Sequence, residues 1–405
     1  MNYILLRLKR FCGFITGIVF FIGGLLKIMD PVGAGLVMKE YFDFLHIGFM
    51  GFAAKPIGVI FAGLEVVIGA GLITGVWRKK TAVAAITIQG LFTLLTFALV
   101  IFNPQMDCGC FGEAIHLSHK ETFIKNIFLC ILLAAYCFPT KSLGQSKKHK
   151  YVSFAIVTVS TMVLGIYSWL YIPLVDFTAY RSAAALQAGH AFAIDPTDRY
   201  ESVFIYEKDG NEREFDLENL PDSTWNFIRT ETKEKENYKN ENLIELPFTD
   251  ADGSYHDTEA AQGRVMIVSI YNINSRSIDW DKAAHFVKEA IRYGFKPLVL
   301  VAGTPGELEK VLESEDAEAV SALKGHLFYS DYKTLITLNR ANMGVTYFSD
   351  GYLIRKWAKR NMPDEVALKE TATGDDTETI IGQSTSGSLT FQGFLLYVFA
   401  VMLLL

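Results

Sequence analysis

Six apolar runs constrain this chain more than any other feature. Residues 11–29, 57–76, 81–102, 122–138, 152–172 and 389–405 are each about 17 to 22 residues long and carry little charge, the length a helix needs to cross hydrocarbon. The first run follows Arg7, Lys9 and Arg10, as a secretory signal would. Gly33-Ala34-Gly35 is a poor cleavage site and further runs follow, so the run is expected to remain as a helix. Residues 173–388 have the mixed composition of a water-facing domain. The expected fold is an α-helical membrane bundle of six spans, a four-helix unit plus two, joined to an extracytoplasmic α/β domain.

Loop charge sets the expected orientation, because Lys and Arg stay on the cytoplasmic side. Arg7/Lys9/Arg10, Arg78/Lys79/Lys80 and Lys141/Lys147/Lys148/Lys150 fall in alternate loops and agree. Both termini are then cytoplasmic, and loops 30–56 and 103–121 face outward together with residues 173–388. In a bacterium this is an inner-membrane protein with a periplasmic domain. The expected organisation is 1–140 as the four-helix domain and 141–172 as a basic linker with the fifth span. Residues 173–363 form the outer domain, 364–388 a flexible linker and 389–405 the last span. A net charge of −6 argues against a nucleic-acid partner. The expected partners are the bilayer and a periplasmic thiol protein or other envelope protein.

Between the third and fourth runs lies Asp107-Cys108-Gly109-Cys110-Phe111-Gly112. Two cysteines separated by a residue without a side chain can approach each other or a common partner. Facing an oxidising compartment, such a pair can form a disulfide. A Cys-Gly-Cys disulfide closes a small ring away from preferred geometry, so it should be easily reduced. That favours electron exchange over cross-linking. Two other readings stay open: a metal site of Cys108, Cys110, His116 and His119, or a structural loop disulfide or unused thiols. Glu65 lies mid-way along the second run, where a carboxylate is expensive. It reads either as a proton-handling or gating carboxylate, and so a candidate catalytic group, or as a protonated acid bonded to a neighbour such as Gln89 or Thr93. Lys27 and Asp30 are expected to snorkel at the outer end of the first helix. Gly13/Gly17 and Gly71/Gly75 suit close helix packing, and Cys12, Cys130 and Cys137 read as packing residues.

Asn103-Pro104, the Cys-Gly-Cys-Phe-Gly motif and Lys125-Asn126-Ile127 together resemble the MauE branch of the DoxX-like membrane proteins. The segments Phe20-Phe21-Ile22-Gly23-Gly24-Leu25-Leu26-Lys27 and Gly63-Leu64-Glu65-Val66-Val67-Ile68-Gly69 resemble the same group. The similarity covers residues 12–138. Members are described as redox-associated, with a fold likened to the four-helix core of vitamin K epoxide reductase. The resemblance implies a thiol–disulfide step near the membrane surface, names no electron acceptor, and leaves a quinone open as cofactor.

From Tyr200 the pattern turns α/β. Strands are expected at 202–206 and 213–217 around Asp209-Gly210-Asn211, then at 265–270, 297–301, 327–329, 345–348 and 352–356. Helices are expected at 176–199 (with a linker), 221–232, 279–293, 305–323 and 334–341. The order over 242–360 resembles a thioredoxin-like domain of the TlpA and peroxiredoxin type. Where that family carries Cys-x-x-Cys, this chain has Tyr271-Asn272-Ile273-Asn274-Ser275-Arg276-Ser277, and Val345 stands in place of the cis-proline. All five cysteines precede Ala179. The outer domain is therefore expected to bind without exchanging thiols. The working reading is a thiol–disulfide electron-transfer component using Cys108 and Cys110. The alternative is a non-enzymatic envelope scaffold or assembly factor.

Overall fold

The computed structural model describes residues 3–104, 106, 108–115, 117–137, 147–181, 184–186, 200–208, 211–215, 221, 225–234, 243–275 and 277–405. They divide into a helical unit, Met1–Phe177 with Gly387–Leu405, and a second unit, Thr178–Ser386.

In the helical unit, α1 (Tyr3–Met29) stops where Asp30-Pro31 follows it. Proline offers no N–H to the preceding turn, and Asp30 Oδ1 accepts from the Gly33 N–H at 2.9 Å. This cap opens α2 (Pro31–Phe44) within what the sequence suggested was only a loop. A 3-10 turn leads to α3 (Ala54–Thr74), which closes on Gly75 at φ +71°. Next come α4 (Arg78–Phe102), α5 (His119–Cys137) and α6 (Lys148–Leu170). Among the described residues, four helical segments are long and apolar enough to cross a membrane: Leu6–Met29, Gly48–Thr74, Arg78–Phe102 and Lys148–Leu170. Two of the six expected spans fall short of that measure. Helix α5 opens with His119, Lys120 and Glu121 and carries Lys125 and Asn126, and Leu389–Leu404 is a shorter apolar helix.

Helices α1 and α3 cross backbone to backbone. A Cβ on Gly24 would lie 2.5 Å from the Ala62 carbonyl oxygen, and one on Gly69 2.5 Å from the Phe21 nitrogen. Only glycine permits that approach. Around the crossing Phe21, Leu25, Ala62, Val66 and Ala70 are fully buried. The crossing stands Gly24 against Glu65, and Lys27 follows one turn later on the same helix face. The small-residue pairs expected from sequence do not form one interface. Gly13 faces the Tyr136 ring, Gly17 faces Gly69, and Gly71 faces Thr81.

The second unit begins with β1 (Ala185–Leu186), β2 (Tyr200–Lys208), β3 (Asn211–Phe215), β4 (Asn226–Glu234) and β5 (Leu243–Ile244). It continues with β6 (Arg264–Ile270), α7 (Trp280–Arg292), β7 (Lys296–Val301), α8 (Pro305–Leu312), α9 (Ala317–Leu323) and β8 (Leu327–Tyr329). The last elements are α10 (Tyr332–Leu338), β9 (Gly344–Ser349), β10 (Tyr352–Trp357), α11 (Glu365–Thr373) and α12 (Asp376–Leu404), the last running on into the helical unit. The described strands form a seven-stranded sheet, β5-β1-β10-β9-β6-β7-β8, and a three-stranded one, β3-β2-β4. Strands β6, β7 and β8 are parallel, and β9 runs antiparallel to β6. Val265–Ile270 is buried throughout, as a central strand covered on both faces requires. Ser349-Asp350-Gly351 closes the β9–β10 hairpin with Asp350 and Gly351 both at positive φ.

Four expectations need correction. The helix expected at 221–232 is replaced by β4, which pairs along β2 and stacks Phe227 on Tyr206 at 5.5 Å, so cross-strand aromatic pairing overrides local propensity. The single helix at 305–323 is two, each with its own start, α8 capped by a Thr304/Glu307 box. The described part of 176–199 contains β1 and no helix. The tether at 364–388 is largely helical, because Asp364 caps α11 through the Ala367 N–H and α12 follows.

Candidate functional site

The site is built around the short loop that joins α4 to α5. Its two glycines have backbone reasons to be glycine. Gly109 sits at φ +59°, and a Cβ there would stand 2.2 Å from Val37 Cγ1 on α2. Gly112 sits at φ +61°. Left-handed backbone costs a side-chain-bearing residue about 1–2 kcal/mol, so both positions favour glycine before any chemistry is considered. Cys108 and Cys110 stand as thiols, the first 3% exposed and the second half-buried. The Tyr41 hydroxyl on α2 donates to the Cys108 carbonyl oxygen at 3.0 Å. Burial pushes the Tyr41 phenol up, with the nearby cysteines and Glu40 acting in the same direction, so it stays a neutral donor.

Beneath the loop lies an ion pair. The Lys27 ammonium is 2.6 Å from Glu65 Oε1 and 2.9 Å from Oε2, with the two side chains only 15% and 5% exposed. The point where a Cβ on Gly23 would stand is 3.4 Å from the Cys110 carbonyl oxygen, 3.5 Å from Glu65 Oε2 and 3.8 Å from the Phe111 ring. The cysteine loop thus rests directly above the pair, in the space the missing side chain leaves. The Lys125 ammonium lies 4.8 Å from the Phe111 ring centroid, and Lys27 lies 5.6 Å from that of Phe92.

A cavity of about 250 Å³ opens beside this arrangement. Cys108, Gly109, Cys110, Lys27 and Glu65 form one part of its wall, and Val37, Phe61, Leu91, Phe92 and Leu95 are among the apolar residues that complete it. A larger apolar groove between α3 and α6, including Gly63, Met162, Gly165 and Trp169, contains no cysteine or charged side chain in its wall.

The structure brings Cys108, Cys110 and Glu65 to one place but gives Glu65 a different partner from those expected. Gln89 donates to the Asn126 carbonyl at 3.2 Å, and Thr93 bonds the Gln89 carbonyl and the Cys130 sulfur. Lys27 is the partner, turned inward rather than snorkelling. A signal was present: opposite charges inside two apolar runs have strong reason to meet. Tyr41 and Val37 had no such signal, because α2 itself was not expected. Of the residues in the metal reading, His119 directs Nε2 to the Met106 carbonyl oxygen at 2.9 Å, and His116 lies outside the described residues. Among the described residues no three His, Cys, Asp or Glu gather as a metal site would need.

In the second unit, the turn after β6 contains no nucleophilic thiol. The Asn272 N–H donates to Asn342 Oδ1 at 3.1 Å, and Asn342 Nδ2 donates to the Asn272 carbonyl at 3.0 Å. The Tyr271 hydroxyl donates to the Arg340 carbonyl, and Ile273 is buried. Reciprocal amide bonds therefore close the turn after β6.

Comparison with known proteins is consistent with the division into units. Residues 200–237 match the family model described as Domain of unknown function (DUF8463). No curated protein and no solved structure matches the chain. Residues 2–139 match the family model described as Methylamine utilisation protein MauE, and with its apolar helices this part of the chain is a MauE-like membrane region.

Proposed function

We propose that this protein carries out thiol–disulfide electron transfer at the outer face of a bacterial inner membrane, through Cys108 and Cys110. The carrying observation is the placement of two thiols on a glycine-shaped loop, directly over a buried Lys27–Glu65 pair. A purely structural loop has no need of a charge pair beneath it, since a pair in hydrocarbon is costly to insert. The basic clusters at residues 7–10, 78–80 and 147–150 support an outward-facing loop and outer domain.

The two cysteines differ in access, and that assigns roles. A partner thiolate attacks the Cys110 sulfur of the Cys108–Cys110 disulfide, forming a mixed disulfide and expelling Cys108, which takes up a proton. The partner's second thiolate then attacks the partner sulfur of the mixed disulfide and expels Cys110, which takes up a second proton. The partner leaves oxidised by two electrons, and the pair is left as a dithiol. We read the second unit as a thioredoxin-like domain with three parallel strands and an antiparallel β9–β10 hairpin in its sheet. It lacks cysteine and has its former site closed by Asn272 and Asn342, so its role is to dock the partner.

Trapping tests this reading. Cys108→Ser leaves the accessible thiol and should accumulate a mixed disulfide in cells, whereas Cys110→Ser leaves the buried one and should accumulate little. If neither variant traps a partner and the double variant functions normally, the scaffold reading replaces this one.

A further inference from the structure

Resting on that reading, we infer that the cavity beside Cys108 and Cys110 binds the headgroup of a membrane-dissolved quinone, which reoxidises the dithiol and is held through a carbonyl oxygen by Lys27. The pair must pass on two electrons and two protons to turn over again. The second unit offers no thiol for this, because every cysteine precedes Ala179. Cys12, Cys130 and Cys137 belong to the helical unit, but none of them lines the cavity beside Cys108 and Cys110, so the receiver comes from outside the chain and must reach the sulfurs.

The cavity restricts what that receiver can be. At about 250 Å³ it lies just below the usual range for small-molecule sites, so it takes a ring and its substituents rather than a folded partner or a flavin nucleotide. Its wall is apolar except at the thiols, Lys27, Glu65, Tyr41 and Thr96. Leu91 on α4 and Leu45 at the end of α2 belong to the wall and are 42% and 46% exposed. The cavity is thus bordered by exposed apolar side chains, one of them on a helix long and apolar enough to cross a membrane, which suits entry from the bilayer. An ammonium has three N–H donors, and Glu65 takes up two oxygen contacts at 2.6 and 2.9 Å. A third donor serves an acceptor in the cavity. A flat, apolar molecule that accepts two electrons and carries carbonyl oxygens meets every one of these conditions, and quinones are that chemical class.

The step balances. The S–H bonds of Cys108 and Cys110 break and one S–S bond forms, releasing two electrons and two protons. The quinone takes both electrons, and its two oxygens take both protons to give the hydroquinone. Lys27 stabilises the negative charge that develops on the bound oxygen, and Glu65 holds the ammonium in place.

The test uses the full-length protein in lipid nanodiscs, reduced beforehand, with decylubiquinone as the probe. One hydroquinone should form for each Cys108–Cys110 disulfide. Leu95→Trp, which fills the cavity away from the charges, should slow quinone reduction about tenfold or more while melting close to wild type. Lys27→Met/Glu65→Leu, which removes donor and counter-charge together, should slow it by about the same factor, the scale of one charged hydrogen bond. Wild-type quinone reduction by a folded Leu95→Trp protein overturns the site. So does the absence of hydroquinone when the same sample still exchanges disulfides with dithiothreitol, and in that case the thiol–disulfide function stands without it. A pair that does neither sinks both.

Discussion

Lys27 and Glu65 show how much turns on one contact. Each was visible as a charge in an apolar run, yet the sequence places Lys27 near a helix end, where snorkelling is the cheaper explanation. Only the α1–α3 crossing at Gly24 puts them face to face. Removing one partner of a buried pair costs about 3–5 kcal/mol, whereas replacing both by apolar residues is often near neutral. Lys27→Met and Glu65→Leu should each lower thermal stability in detergent strongly, and the double variant should recover most of the loss. A double-mutant cycle by thermal unfolding measures this, and additive losses would contradict the pairing. Cys108, Gly109 and Cys110 were legible as a unit, but the need for glycine at 109 was not. It comes from Val37 on a helix that the sequence did not announce.

At the scale of elements, strongly periodic or continuous apolar segments were readable and weakly patterned ones were not. Strand β6 and helix α7 stand where expected, with Ala283, Phe286, Val287 and Ala290 of α7 buried. Strand β4 was missed because its mixed polar sequence shows no clear strand period until β2 lies beside it. In the sequence Phe248–Gly253 resembles an Asp-Gly turn, and the folded segment continues to Glu259. It contains His256, whose Nε2 is 3.0 Å from Asp250 Oδ2 and whose Nδ1 is 2.6 Å from Glu259 Oε1. The bond to Asp250, then that to Glu259, raises the imidazole above its usual range, while Asp250 is lowered, first of all by the same bond. A raised folded value means His256 stabilises the turn fully below about pH 6.5. That contribution is lost as pH rises through the raised value. Amide protection across residues 248–259, corrected for intrinsic exchange, should therefore fall as pH increases through that window. His256→Gln should flatten the trend, and protection that rises with pH in wild type would contradict it.

At the scale of the whole molecule, the division into a helical membrane-type unit and a strand-rich unit was legible because hydropathy changes abruptly near residue 173. Less legible was what joins them to the last apolar segment, since a Ser/Thr/Gly-rich run reads as a tether while α12 passes through it as helix. The proposed chemistry lies in the first unit, at one loop. Its central claim is that Cys108 and Cys110 change redox state as they work. Acid-quenching intact cells and tagging thiols with a mass-shifting maleimide, in a protein whose other three cysteines are replaced, reads that state directly. The account predicts a mixture of dithiol and disulfide that moves toward dithiol when the cells are shifted to a reducing medium and returns when it is removed. A pair fixed in one state under every condition would contradict it.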